Sequence, residues 1–455
     1  MGIGYKIEKN MSKSVRFILF LVFLLAFCIS APAVVLYTAG YRLDLTHGRI
    51  VHTAVLSISS EPRNATIRID ELPYADRTPA VLETILPGEH TVALQKDGYL
   101  PWKTRLAFES RSARVVGPII LFLDSQPALQ KTLNAVISSV HEPSNTIAYA
   151  TVGSSWLEVW SIHATSGQTS LLLRLPYVAT DTYDLLWSQD GTYLALTQKR
   201  GSRMDVSVSR VSDGTVMELA QLGEDVEDVW WDLSVNPILN LRTGTSITQL
   251  PMTTLDAQIL PFNAQNVTTF QNTLVSLSQS NNRAVLSYQD GDTASIITYL
   301  PLGDYVFVPS PTGLLALSET RRGRLILIDP SNREQPILFN EEATQWSWSP
   351  SEDILLYSSG YDLKRYVRSA HETQTLTRLS TSIDGMAWFP LGTSVLYQTG
   401  GQIIALNLDG STVLSQTTLA TNLHGDFWLD QGGSVLSALV ATHDGWEWWI
   451  RSLQN

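Results

Sequence analysis

One motif recurs along most of the chain and limits what it can fold into. Trp187, Trp348, Trp388 and Trp428 each open a similar passage, and seven residues on stand Leu194, Leu355, Val395 and Val435. Turn formers lie between: Ser188-Gln189-Asp190-Gly191, Ser349-Pro350-Ser351-Glu352, Phe389-Pro390-Leu391-Gly392 and Leu429-Asp430-Gln431-Gly432. The step from Trp348 to Trp388 and from Trp388 to Trp428 is 40 residues each time. Weaker copies begin at Val140, Trp231, Phe270 and Phe307, which makes eight starts. Each unit divides into four short runs. In the sixth they are Thr344–Ser349, Ile354–Ser358, Leu363–Ser369 and Thr375–Leu379; in the seventh, Gly385–Phe389, Ser394–Gln398, Gln402–Leu408 and Thr412–Gln416. A single four-stranded sheet of ~40–45 residues cannot bury its faces alone, and stacking such units around an axis solves this as a β-propeller. Residues 127–455 are therefore expected to form a propeller of about eight four-stranded blades.

Such a ring opens easily if it is built from whole blades. The eighth unit supplies only three strands, Asp426–Leu429, Ser434–Val440 and Glu447–Leu453, while Ala128–Asn134 precedes the first unit with strand-like alternation. Backbone pairing of Ala128–Asn134 beside Glu447–Leu453 would close the ring. The repeated tryptophans are read as fillers between blades, each stabilising by roughly 1.5–3 kcal/mol when buried. Trp446 and Trp448 share one strand face and Trp449 takes the other. They are read as inter-blade core, with an aromatic ligand platform as the alternative.

The N-terminus obeys different rules. Phe17–Tyr37 is 21 residues without a charge. At ~1.5 Å per residue a helix of that length crosses a bilayer core of roughly 30 Å. Lys6, Lys9, Lys13 and Arg16 against Glu8 give residues 1–16 a charge of +3, and since the whole chain carries −12 the rest carries −15. The basic flank predicts a cytoplasmic tail (1–16), a transmembrane anchor (17–37) and an extracytoplasmic body in the cell membrane. A signal peptide cleaved near Ala33, giving a secreted protein, is the alternative, because Ala31-Pro32-Ala33 has small-x-small character. Cys28 is the one cysteine, so no disulfide forms within the chain. An acidic body argues against a nucleic-acid partner, whose phosphates need clustered Lys and Arg.

Between the anchor and the repeats the pattern is again that of strands. Leu56 and Ile58, Ile67 and Ile69, and Val92 and Leu94 alternate with polar residues, and turn signals separate them. This predicts an antiparallel sandwich of about six or seven strands over 53–123. The residues here resemble the PEGA domain: Pro62-Arg63-Asn64-Ala65 at the name-giving tetrapeptide, Ala65–Asp70 at the second strand, Thr78-Pro79 at the entry to the third, Leu86-Pro87-Gly88-Glu89-His90 at the Pro-Gly-x-His turn, and Lys96-Asp97-Gly98-Tyr99 at the Gly-Tyr turn. Asn64 replaces a glycine of that pattern, and glycines expected near Glu71 and Arg77 are missing. Asn tolerates positive φ, so the first turn can form. The resemblance implies a bacterial surface module that binds or spaces rather than catalyses. His90 and Tyr99 are read as structural, one starting a strand and the other capping a core.

The Trp-Ser-x-Asp-Gly start followed by an apolar strand resembles TolB-like, WD-repeat-related propellers. The fold class is thus all-β apart from one N-terminal helix. No phosphate-binding glycine loop, His-Glu-x-x-His or nucleophile-elbow serine occurs, and the eight histidines are scattered. No catalytic residue, metal site or cofactor is expected. The acidic linker Glu224, Asp225, Glu227 and Asp228 is the candidate binding face. The expected function is binding or scaffolding at the cell envelope, toward a protein or a cell-wall polymer. The alternatives are a propeller enzyme (a quinoprotein-like oxidoreductase or a hydrolase) and a periplasmic accessory of a transport or assembly complex.

Overall fold

The computed structural model describes residues 13–44, 48–219, 226–291, 293–408 and 415–454. Two compact units divide near Leu121.

The first unit begins with helix α1, Lys13–Thr38, which extends beyond the uncharged run at both ends and continues through Pro32. Phe17, Phe20, Phe23, Leu25 and Tyr37 are among the apolar side chains it leaves exposed. It is long and apolar enough to cross a membrane. Gly40 at φ 81° ends the helical path, and the Arg42 guanidinium lies 3.7 Å over the Tyr37 ring.

A hairpin follows, β1 Tyr41–Asp44 with β2 Arg49–His52. Seven strands then build the small domain: β3 Ala54–Glu61, β4 Thr66–Ile69, β5 Leu72–Arg77, β6 Ala80–Ile85, β7 Gly88–Gln95, β8 Trp102–Phe108 and β9 Ala113–Ile120. They form two sheets, in the orders β6-β3-β9 and β5-β4-β7-β8. Alternate residues bury as strand periodicity requires; Leu56, Ile58, Ile67, Leu94, Trp102 and Leu106 form the core. The expectation of a wholly antiparallel domain needs correction, because β3 and β9 run parallel, with Ser57 opposite Val115. Parallel neighbours require a long crossover rather than a hairpin, and the run β4 to β8, the whole second sheet together with β6, supplies it here. Asn64 does adopt φ 66°. Where glycine is missing, Asp70 and Glu71 take φ 48° and 69° to turn the chain from β4 into β5.

The second unit is a ring of eight four-stranded sheets. Seven blades are meanders of consecutive strands. Blade 1 starts with Ala135–His141, blade 2 with Thr182–Trp187, blade 3 with Asp228–Trp231 and blade 4 with Asn266–Phe270. Blade 5 starts with Tyr305–Val308, blade 6 with Gln345–Trp348 and blade 7 with Ile383–Trp388. Blade 8 is composite. Gly425–Leu429, Val435–Thr442 and Gly445–Ser452 come from the C-terminal end, and Ala128–Leu133 adds the fourth strand. Leu133 lies opposite Trp446 and Leu129 opposite Trp449. The ring is therefore closed by backbone hydrogen bonds between strands 300 residues apart in order of magnitude, as the incomplete eighth repeat predicts. Blade 3 is the least regular, its outermost strand shrinking to Gln258–Ile259. In blade 7 the fourth strand is Gln416–Ala420, beginning where the sequence pattern ended it. The intervening 409–414 lie outside the described residues.

The repeated tryptophans sit at the seams. Trp428 is buried in a cluster with Leu133, Ile147, Tyr149 and Trp448, which joins blade 8 to blade 1. The indole nitrogens add a second grip. Trp231 Nε1 donates to the Leu186 carbonyl at 2.9 Å, and Trp388 Nε1 to the Ser347 carbonyl at 3.0 Å. In both cases the acceptor precedes the tryptophan of the previous blade. Trp428 Nε1 instead reaches the Asn145 side chain at 2.6 Å. Trp446 and Trp449 are half-buried and Trp448 is buried, so the three do not form an exposed platform.

Candidate functional site

The first strands of the blades neighbour one another around the axis, and their starts face one end of the channel. Five blades place an aspartate at or beside such a start: Asp184, Asp228, Asp304, Asp384 and Asp426. Two of these are neutralised. Arg242 pairs with Asp228 at 3.2 Å and Arg321 with Asp304 at 2.6 Å. Asp384 accepts a neighbouring hydroxyl, Ser382 Oγ, at 2.8 Å. Asp384 and Asp426 line one cavity of about 320 Å³ along the channel wall, together with Ser138, Ser139 and Glu142 of blade 1 and Gln345 of blade 6.

Glu142 is the most perturbed acid of this group. Its carboxyl meets water yet is ringed by protein on several sides. That partial desolvation, and then the charge of Asp426, push its pKa above the usual carboxylate range. The turn carrying it is rigid. Glu142–Ser144 is a single turn of 3-10 helix capped by His141, whose Nδ1 accepts the Ser144 N–H. His141 Nε2 faces the Gln189 carbonyl at 3.3 Å in blade 2. Burial lowers the pKa of this imidazole, outweighing the Gln189 carbonyl and the Asp190 charge. Gly191 lies directly against the ring: a Cβ there would come within 2.5 Å of it, and φ is 70°. Only glycine satisfies both conditions. Blade 8 repeats the device, with Gly433 at φ 68° pressed against Phe389 of blade 7.

The sequence-derived binding face is placed only in part. Glu224 and Asp225 lie outside the described residues. Glu227 is exposed, and Asp228, also exposed, pairs with Arg242 at 3.2 Å. The carboxylates that do converge, Glu142, Asp384 and Asp426, come from three blades and were not singled out by sequence. Each stands within a few residues of a repeat start (Val140, Trp388, Trp428) but at a different offset, +2, −4 and −2, so no shared register marked them.

Nearby charged groups serve the scaffold. Asp181 is fully buried beneath Arg200, which donates from Nη2 at 3.0 Å, and Gln198 Nε2 donates at 2.6 Å. Arg200 first and Gln198 next hold its pKa below the usual range against the cost of burial. In the small domain His90 has both ring nitrogens engaged, by Asp70 at 2.5 Å and the Leu86 carbonyl at 2.8 Å. Burial raises the Asp70 pKa, but the Thr91 N–H and His90 outweigh it and the net shift is downward. Tyr99 packs at the edge of the core. Among the described residues no group of three or more His, Cys, Asp or Glu could hold a metal ion.

Residues 53–115 match the family model of the PEGA domain. No curated protein matches the chain. Among solved structures, the chain is similar to a eukaryotic initiation factor (12% identity, covering 74% of this chain and 94% of that one, TM-score 0.48). It is also similar to the Dos1 propeller (14% identity, 71% and 94%, TM-score 0.47), and to Sqt1 of Chaetomium thermophilum (13% identity, 70% and 98%, TM-score 0.45).

Proposed function

We propose that this chain is a membrane-anchored binding or scaffold protein of the cell envelope, with α1 as the anchor and the PEGA domain and propeller on the extracytoplasmic side. The propeller engages a protein or a cell-wall polymer and does not turn it over. The observation that carries this reading is the cavity lined together by Glu142, Asp384, Asp426, Ser138 and Ser139. Carboxylates on different blades, held by a rigid ring, form a preorganised acidic surface. Such a surface favours partners with cationic or hydroxyl groups and speeds their encounter more than it deepens affinity. Propellers bind through the ends of the channel because the blade faces are used up in packing.

Crosslinking pull-down from native membranes tests the reading. Wild type is compared with Glu142→Gln/Asp384→Asn/Asp426→Asn, and both are screened for hydrolase and oxidoreductase turnover. The triple variant should recover several-fold less partner while keeping the wild-type fold, since exposed charges contribute little to stability. Equal recovery would reject the channel surface, and turnover dependent on one side chain would reject the non-enzymatic reading.

A further inference from the structure

In five of the eight blades the turn between the first and second strands is built the same way. Its last residue is left-handed, and its N–H closes the turn onto the carbonyl three residues back. Gly191, Gly392 and Gly433 hold this place in blades 2, 7 and 8, at φ 70°, 71° and 68°, and Asn145 holds it in blade 1 at φ 50°. Glycine, or failing that asparagine, is what this backbone favours. Blade 6 departs from the rule. Glu352 occupies the position at φ 58°, with its N–H bonded to the Ser349 carbonyl at 2.8 Å. The turn between the third and fourth strands shows a second departure in the same blade. Blades 1 and 2 use Gly167 and Gly214 at φ 68° and 67°, whereas blade 3 has Leu255 at φ 60° and blade 6 has His371 at φ 54°.

The two left-handed side chains of blade 6 converge. Glu352 and His371 line one open groove of about 530 Å³, shared by the turns of blades 5 and 6. That volume lies within the roughly 300–1,000 Å³ of small-ligand clefts. Asp329, Asp353 and Arg368 complete its charged lining. The internal bonds leave capacity to spare. Glu352 Oε2 accepts the Thr312 N–H at 3.2 Å, and Arg368 Nη2 donates to the Thr312 carbonyl at 3.4 Å. The Ser369 N–H and hydroxyl occupy Asp353. His371 uses Nδ1 toward the Tyr366 hydroxyl at 3.1 Å.

We infer that this groove is a second binding site, for a neutral polyhydroxylated ligand such as a segment of saccharide chain. Charge decides the class. An anion would meet three carboxylates, and a cation would find Arg368 among them. A sugar hydroxyl both donates and accepts, so it can use a carboxylate oxygen and a guanidinium or imidazole N–H together. Strained residues persist where surrounding structure holds them and function uses them. Here the strain is borne by the two side chains that replace glycine with hydrogen-bonding groups. The site is separate from the channel cavity and does not depend on it.

The test uses the full chain in a detergent without a sugar headgroup, titrated with maltotriose, cellotriose and the trimer of N-acetylglucosamine. An arginine-rich peptide and inorganic phosphate serve as counter-probes, and saturation-transfer NMR gives the affinities. At least one trisaccharide should bind at millimolar strength. Glu352→Gly should weaken it about ten-fold, the cost of one lost charge-assisted hydrogen bond, without lowering the melting temperature. His371→Gln, which keeps a polar side chain at the turn, should weaken it less. The inference is overturned if no trisaccharide binds at tens of millimolar, if only the peptide or phosphate binds, or if Glu352→Gly binds as wild type does.

Discussion

Gly191 and Glu352 hold the same place in the repeat, four residues after Trp187 and Trp348, yet the structure asks different things of them. At Gly191 the turn closes onto the neighbouring blade, and the space a Cβ needs is already filled by the His141 ring. At Glu352 the turn opens outward, the side chain is exposed, and a conformation that suits glycine is imposed on a carboxylate. The contrast teaches that identical backbone positions in a ring are not equivalent. Where a turn seals a seam, glycine is dictated by packing. Where it borders a groove, the seam makes no such demand, and the position can carry chemistry at a modest conformational cost.

The comparison presumes a ring that is closed, and the most severe perturbation tests that premise. Deleting 446–455 removes almost all of Gly445–Ser452, the strand that pairs with both Val435–Thr442 and Ala128–Leu133. The propeller should lose its single cooperative melting transition. A deletion variant that melted as wild type does would mean the two ends do not close the ring.

Next in size is the sealed turn itself. Gly191→Ala introduces a Cβ both into a left-handed residue and against the imidazole. It should cost about 2–4 kcal/mol in denaturant unfolding, the sum expected for an incompatible φ and an overpacked contact. A loss under ~0.5 kcal/mol, the range of ordinary surface changes, would show that His141 moves aside freely.

A smaller effect sharpens the same seam. Burial depresses the His141 pKa in the folded state, so the unfolded chain takes up the proton first as pH falls. The stability His141 contributes is fully present above the unfolded value near 6.5 and is lost as pH falls from there through the folded pKa. Melting temperatures measured between neutral and mildly acidic pH should therefore drop more steeply for wild type than for His141→Gln. Parallel profiles would mean that the imidazole is not held neutral at the seam.

Much of this architecture was legible in the sequence because propeller packing repeats its demands. The tryptophan spacing marked the seams, and the missing strand of the eighth unit announced Ala128–Leu133 as its complement. Asn64 could be read as a left-handed turn residue from its chemistry alone. What escaped depended on long-range geometry. The parallel pairing of β3 with β9 follows from how the second sheet carries the chain across, which local alternation does not encode. The late start of the strand at Gln416 follows a run whose alternation allowed an earlier one. The site was harder still. Asp384 and Asp426 each look like an ordinary exposed aspartate, and only the packing of neighbouring blades brings them to one cavity with Glu142. The acidic run at 224–228 is conspicuous because its charges are adjacent in sequence, and the pairing of Asp228 with Arg242, 14 residues on, shows only in the structure.

Sealing turns are committed to packing, while the blade 6 turn, as inferred above, is committed to contact outside the ring. Thermal melting of Gly191→Ala beside Glu352→Gly tests this most directly. The claim predicts opposite signs: a lowered melting temperature for Gly191→Ala, and an unchanged or slightly raised one for Glu352→Gly, where relief of left-handed strain offsets the single lost bond to the Thr312 N–H. If Glu352→Gly instead melts lower by as much as Gly191→Ala, Glu352 is a packing residue like the rest, and the claim is wrong.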